Sequence, residues 1–417
     1  MKIYRIMSQS FITGLDIGSN SLKAVVAEVK KGGQMSFVKI LKTPSSGMRK
    51  GSVDDLAEMT RSLNVMFGEI KKISKDALKN IYINVGSADT HVQSSRGIVA
   101  VSRADFEIHQ DDVDRAVQAS QAINLPPNRM ILHAITREYI VDGVGGIRDP
   151  LGMVGNRLEV NSLIIDAFSH WVKNLTKCVE MAGASVGGLI FSPLAGARAV
   201  LSKNQKDLGV AFVDIGFGTT SMCVYEEGKL LHLAVFPVGS GNITNDLAIG
   251  LKTSVDTAEA VKLAFGSASA KGISGREQVD LKKIDPVLRH NVSRRMIADI
   301  IEVRLAEIFE FANNELKLIG KESQLPVGVV LAGGGAKMPG VVDLAKEEFD
   351  LPVQIGIPDS SILDMPNGEL SLQIEDPEYV CAVGLLLCAK ERMFGGGSDI
   401  VGGEGSWLKK LFRLLLP

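Results

Sequence analysis

Two stretches about half a chain apart read almost alike: "GLDIGSNSLKAVV" at residues 14–26 and "FVDIGFGTTSMCVY" at residues 212–225. Each sets Asp-Ile-Gly before hydroxyl and small residues, then a β-prone run. This repetition constrains the fold more than any other feature. It implies a duplicated domain with a cleft between two related halves. An Asp at the end of a buried strand can hold a hydrated metal ion, and the following glycines let the backbone bend close to an anion. The N–H groups of such a turn form a concave nest for phosphate oxygens. One Asp-x-Gly alone fits an ordinary hairpin turn equally well. Two copies, each followed by a strand and a second hairpin, point to a nucleotide clamped from both sides, with Mg²⁺ between Asp16 and Asp214. The hydroxyls of Ser19, Ser21, Thr219 and Thr220 add hydrogen bonds.

A third stretch, "LAGGGAKMPG", runs a strand into Gly333, Gly334 and Gly335 before a helix. A backbone without side chains can lie flat against a base or ribose. The same pattern also fits a tight strand-to-helix turn. Consistency with the two hairpins favours the nucleotide.

At 417 residues the chain is long enough for two to four domains of roughly 100–200 residues each. A net charge of −2 gives no surplus for nucleic acid. The four cysteines, at 178, 223, 381 and 388, form no CxxC pair and sit in apolar runs, which predicts a reduced core role. The six histidines show neither HExxH nor a cluster, against a metal-hydrolase site. No apolar run is long enough to span a membrane as a helix.

Along the chain, residues 10–41 read as hairpin-linked strands, 53–79 as a helix and 81–87 as a strand. In 84–163, strand-like runs flank the helix "HQDDVDRAVQASQAI", and "DGVGGIRDPLGMVG" reads as a turn rather than a phosphate cradle. Residues 254–265 and 286–318 read as helices, the latter with Ile297, Ile301, Leu305, Ile308 and Ala312 on a core-facing stripe. "GGGSDIVGGEG" reads as a flexible linker. In the terminal "GSWLKKLFRLLLP", Trp407, Leu408, Leu411, Phe412, Leu414, Leu415 and Leu416 spread over one broad helical face. Lys409, Lys410 and Arg413 group on the other. That pattern suits the surface of an anionic membrane, with several tails acting together. Docking on the protein's own body or on a partner is the alternative.

The three motifs, in this order, resemble the superfamily of actin, sugar kinases and heat-shock chaperones. The resemblance covers residues 12–394. Within it, "PVGSGNITNDLAIGL", "TAEAVKLAFGSA" and the block from "YINVGSADTHVQSS" to "MVGNRLEV" are similar to the FtsA family of bacterial cell-division proteins. The fold implied is α/β: duplicated actin-like (ribonuclease-H-like) domains around a nucleotide cleft, with an inserted α+β subdomain. The first half would occupy 1–83, completed by 164–195 and 360–394, with the insert at 84–163. The second half would occupy 196–238, completed by 319–359. A small subdomain for FtsZ contact at 239–318, a linker at 395–405 and a membrane helix at 406–417 complete the division.

The resemblance implies ATP with Mg²⁺ held through water by Asp16 and Asp214. Gly18, Ser19, Asn20, Ser21, Gly216, Phe217, Gly218, Thr219, Thr220 and Gly239 would line the phosphates. Gly333, Gly334 and Gly335 would take the adenosine. Lys23 would reach the phosphates, and Glu259 with Lys262 would grip ribose and adenine. A solvated strand lysine and an exposed ion pair are the plainer readings of those positions. Where the chaperone branch has Glu-Pro, this chain has Ser192-Pro193. A hydroxyl is no carboxylate base near neutral pH, so slow ATP turnover is expected.

The family's role implies a filament-forming protein at the cytoplasmic face of the cell membrane at the septum, tethering FtsZ and helping recruit other division proteins. Arg294 and Arg304 are the candidates for the acidic FtsZ C-terminal peptide, since arginine suits carboxylates. Both also fit a solvated helix face. A sugar kinase lacks a further Asp or Glu base here, and a pilus-assembly scaffold leaves the terminal helix unexplained.

Overall fold

The computed structural model describes residues 10–30, 34–288, 291–358 and 372–394. The predicted linker and membrane helix, from residue 395 to Leu415 and beyond, lie outside them. One unit is formed by Met1–Ala88 with Lys173–Ala389, and a second is built on Asp89–Val172.

The first unit opens with β1 (Ser10–Ile17), β2 (Ser21–Val29) and β3 (Met35–Pro44), an antiparallel meander. A short hairpin, β4 (Met48–Arg49) and β5 (Ser52–Val53), leads into α1 (Leu56–Ile73). The Asp55 side chain caps α1 by accepting from the N–H groups of Ala57 and Glu58. One face of α1 buries Met59, Leu63, Met66, Phe67 and Ile70. The next strand, β6 (Ile81–Val85), lies parallel to β1.

The second unit holds β7 (His91–Ala100), α2 (Gln110–Ser120), β8 (Arg129–Val141), β9 (Val144–Ile147) and β10 (Arg157–Phe168). The four strands pair antiparallel in the order β7-β10-β8-β9. Val113 and Ala116 of α2 share a core with Val141, Leu158 and Val160. A side chain at Gly97 would collide with the Ala116 carbonyl, so only glycine lets the helix lie this close. The Gly-rich stretch opens with the β8–β9 turn, where Asp142 and Gly143 have φ 48° and 89°, and continues through β9 into the loop before β10. The long strand β8 has no counterpart in the sequence reading. Its run "RMILHAITREYIV" mixes apolar and charged residues without strict alternation.

The chain re-enters the first unit within α3 (Ser169–Met181) and continues through β11 (Val186–Phe191), α4 (Ser192–Val200) and α5 (Lys203–Leu208). Then come β12 (Val210–Ile215), β13 (Thr220–Glu226), β14 (Lys229–Phe236), α6 (Ser240–Leu251) and α7 (Val255–Phe265). They are followed by β15 (Gln278–Asp280), β16 (Asn291–Ser293), α8 (Arg294–Leu318), β17 (Gly328–Ala332), α9 (Val341–Phe349), β18 (Val353–Ile355) and α10 (Val380–Phe394).

The duplication is visible in the sheets. One has the order β11-β6-β1-β2-β3 and the other β14-β13-β12-β17-β18. Each is an antiparallel meander continued from its first strand by two parallel strands. Asp16 faces Lys23 across β1 and β2, and Asp214 faces Ser221 across β12 and β13, one pair short of the turn in both.

Three helix predictions change. The run expected as one helix over 53–79 divides: Val53 pairs within β5, α1 ends at Ile73, and Lys75–Leu78 form a separate 3₁₀ turn. The helix expected over 286–318 starts at Arg294. Residues 291–293 instead pair with 278–280 as strands, and Arg294 N donates to the Glu277 carbonyl, committing those backbone groups. From Arg294 on, Ile297, Ile301, Leu305, Ile308 and Ala312 are fully buried as expected. Each large aliphatic among them contributes about 1.5–3 kcal/mol of burial. After Gly333 the chain makes a 3₁₀ turn at Gly334–Lys337, and α9 begins only past Gly340, whose φ of 81° breaks helical geometry. All four cysteines are buried, and none is in a disulfide. No described helix is long and apolar enough to cross a membrane.

Candidate functional site

The two repeated hairpins close with the same hydrogen bond. Gly18 N donates to the Ser21 carbonyl at 3.2 Å, and Gly216 N to the Thr219 carbonyl at 2.9 Å. A Cβ on either glycine would sit 2.9 Å from that oxygen, so the turn admits no side chain. The tips face each other: a Cβ on Gly218 would stand 2.7 Å from Ser19 Oγ. Between them opens a cavity of about 320 Å³, bounded by Asn20 and Thr219 on the hairpins and by Gly333, Gly334 and Gly335 beyond. At Gly333 φ is 82°, and a side chain there would clash with Asp214 Oδ1, whereas one at Gly334 would meet nothing. Gly334 therefore presents bare backbone to the cavity.

The carboxylates are not equivalent. Lys23 Nζ lies 3.2 Å from Asp16 Oδ2. Burial alone would lower the Lys23 pKa, yet Asp16, Glu378 and Asp214 together hold it above its ordinary value. The residue facing Asp214 is Ser221, which offers no charge. Burial, with Asp16 nearby, pushes the Asp214 carboxyl up to about 7.

Glu259 and Lys262 stand 2.6 Å apart on α7. Lys262 is buried and donates to Thr244 Oγ1 at 2.8 Å and to the Ser240 carbonyl at 3.3 Å, and Thr244 also bonds Glu259. This is a cavity-lining network, not an exposed ion pair. Burial lowers the Lys262 pKa despite Glu259. The Phe217 ring lies 5.6 Å from Lys262 Nζ and occupies the space a side chain at Gly241 would need. Gly239 closes on the Gly216 and Phe217 carbonyls, where a Cβ would come within 2.7 Å of both oxygens. Thr220, in the pair next to the turn, is fully buried and does not line the cavity.

Several cavity residues carry no sequence signal. Asn84 on β6 donates from Nδ2 to Asp16 Oδ1 at 2.8 Å. Glu378 accepts from Lys42 Nζ at 2.7 Å and approaches Lys337 Nζ at 3.4 Å. Lys337 also pairs with Asp376. Cys381 lines the cavity from α10, and burial raises its thiol pKa well above normal. Ser192, which the sequence does single out, also borders the cavity, and its Oγ closes over Gly86, where no Cβ fits. A lone Asn, Lys or Glu on a strand or turn is common enough that only its place in the folded cavity marks it.

The two candidate peptide-binding arginines lie on α8, and each already holds a carboxylate. Arg294 Nη1 is 2.7 Å from Glu277, and Arg304 grips Asp246 through Nε at 2.6 Å and Nη2 at 3.1 Å, with Glu307 beside it.

Two carboxylates, a buried lysine and glycine N–H groups around one cavity suit a divalent cation bound with an anionic phosphate chain. The donor set is all oxygen, which matches a hard cation such as Mg²⁺.

Residues 211–384 match the family "Cell division protein FtsA", and 87–166 match the "SHS2 domain inserted in FTSA". The FtsA protein of Pseudomonas aeruginosa is 34% identical over 96% of this chain and 94% of its own length. That of Bacillus subtilis is 35% identical over 91% and 84%, and that of Escherichia coli K12 30% over 97% of both. The chain belongs to the FtsA family of cell-division proteins. Its fold is actin-like with the SHS2 insertion. A PilM-PilN type IV pilus biogenesis complex superposes with a TM-score of 0.66 at 18% identity, covering 91% of this chain and 98% of that one. MreB 5 of Spiroplasma citri bound to AMPPNP superposes at 0.55 and 14%, covering 94% and 100%. These likenesses concern the fold alone. The SHS2 match overlaps the second unit, which carries none of the cavity residues.

Proposed function

We propose that this member of the FtsA family binds ATP with Mg²⁺ in the cleft and uses the bound nucleotide to set its conformation and assembly. The observation that carries the reading is the facing of the two hairpins: the same Gly-to-carbonyl turn bond on both, tips in contact at Ser19 and Gly218, and an acidic strand end behind each. A bound Mg²⁺ ion would offset phosphate charge beside Asp16 and Asp214. The turn N–H groups other than those of Gly18 and Gly216 would orient the phosphates, Lys23 supplies a fixed positive charge, and Glu259 with Lys262 bounds the base and ribose end. Among the cavity residues, Glu378 is engaged by lysines and Ser192 is a hydroxyl, so neither is a ready base for an attacking water. Turnover is slow on this reading.

The wider role is a filament of these chains on the cytoplasmic face of the cell membrane at the septum. There it tethers the FtsZ C-terminal peptide and helps recruit other division proteins. Arg294 and Arg304 would receive the acidic peptide by exchanging their internal carboxylates. The amphipathic pattern of Trp407, Leu408, Leu411, Phe412 and Leu415 against Lys409, Lys410 and Arg413 supports attachment to anionic lipid. The test is co-sedimentation with anionic liposomes, with and without ATP and Mg²⁺, comparing the full chain with one ending at Gly405. Binding that is lost on truncation and strengthened by ATP supports the reading. Equal sedimentation of both chains removes the tail's role, and indifference to ATP removes nucleotide-driven assembly.

A further inference from the structure

We infer that Asn84 is the positioning residue for the Asp16 carboxylate, fixing the orientation in which Asp16 meets a cation bound with the nucleotide. The inference rests on the nucleotide reading above and concerns a residue outside the repeated motifs.

The backbone shows why Asn84 is needed. β1 and β6 pair in parallel only through Leu15 and Ile83. Beyond that point the Ile17 N–H would have no strand partner on the β6 side. The Asn84 side chain takes it instead, Oδ1 accepting from Ile17 N at 2.7 Å. Its Nδ2 then points to Asp16 Oδ1 at 2.8 Å and reaches toward Ser192 Oγ at 3.4 Å. The two main partners are of opposite polarity, an N–H and a carboxylate oxygen, so the amide has one orientation that satisfies both. Lys23 takes the other carboxylate oxygen. Asp16 is thereby held from β2 and from β6 at once.

The second half makes the comparison. There β12 and β17 stay paired one residue further, to Asp214 and Ala332. Counting from the preceding pairs, Leu15 with Ile83 and Val213 with Leu331, Ala332 stands where Asn84 stands in the first half. Ser221 stands where Lys23 stands. The duplicated scaffold therefore gives one aspartate both an amide and a lysine, and gives the other neither. Asp16 is the pre-set ligand, and Asp214 is the one left to adjust.

The experiment measures the affinity of a fluorescent ATP analogue in Mg²⁺ and in EDTA, and takes the ratio as the cation-linked gain. Removing a partner that orients a metal ligand costs about 10–100-fold in related settings. Asn84→Ala is expected to shrink the ratio about tenfold, and to shrink it no further in an Asp16→Asn background, because both act through one carboxylate. Asn84→Ser, which keeps a short hydroxyl, serves if the alanine variant does not fold. An unchanged ratio overturns the inference. So does equal weakening with and without Mg²⁺, or an effect that adds to that of Asp16→Asn. An unmodified chain that binds no nucleotide, or binds it equally in EDTA, overturns the nucleotide–cation reading itself and the inference with it.

Discussion

Asp16 and Lys23 are cross-strand partners whose charged atoms stand 3.2 Å apart, while the matching pair in the second half is Asp214 and Ser221. One hairpin carries its own counter-ion and the other does not. Replacing Lys23 by Met should therefore leave the buried Asp16 and the part-buried Asp214 without that cation. Removing one partner of a buried pair costs roughly 3–5 kcal/mol, so the ligand-free chain should melt several degrees lower. Added Mg²⁺ should restore part of the loss. Thermal unfolding of the variant with and without Mg²⁺ checks this, and a melting temperature equal to that of the parent chain contradicts it.

Gly333 and Gly334 are neighbours with opposite demands. Gly333→Ala forces a side chain into φ 82° and against Asp214 Oδ1, so stability should fall by about 2 kcal/mol or more. Gly334→Ala meets no atom in the fold, so its cost should fall on nucleotide affinity instead. Urea unfolding and a nucleotide titration on both variants separate the two effects. The prediction fails if the Gly334 variant is the less stable of the pair.

Arg304 is held by Asp246 through two nitrogens. If it receives the acidic FtsZ peptide, Arg304→Ala should weaken peptide binding by about 1.5–3 kcal/mol, the range for a hydrogen bond to a charged group. Asp246→Asn should strengthen it, because the internal competitor is then neutral. Fluorescence anisotropy with a labelled peptide distinguishes these. Peptide binding that ignores both substitutions assigns the contact elsewhere.

Burial, reinforced by Arg392, lowers the pKa of His133 to about 4. Unfolding returns it to roughly 6.5. Between those values the unfolded chain binds more protons than the folded one, so stability is complete above about pH 6.5 and falls as pH drops toward 4. The full difference corresponds to about 3 kcal/mol. Unfolding free energies measured from pH 7 to 4.5 should show this slope. His133→Phe should flatten it.

The repeated Asp-Ile-Gly turns, the third glycine run, the core stripe on α8 and the Glu259–Lys262 spacing were all legible in sequence. Each is a local pattern whose period or turn chemistry dictates its geometry. The family and its two-half architecture follow from those patterns in order. The partners of each charge were not legible. Asn84 meets Asp16, Glu378 meets Lys42 and Lys337, and Asp246 meets Arg304 only because strands and helices distant in the chain are brought side by side. The strand β16 in place of a helix start was hidden for the same reason, since its partner lies across an intervening loop. Sequence by itself determined that two related halves face one cleft, because the turns that build it are encoded residue by residue. Only the tertiary structure decided which aspartate is braced, because the amide that orients it and the lysine that neutralises it reach Asp16 from separate strands of the folded sheet.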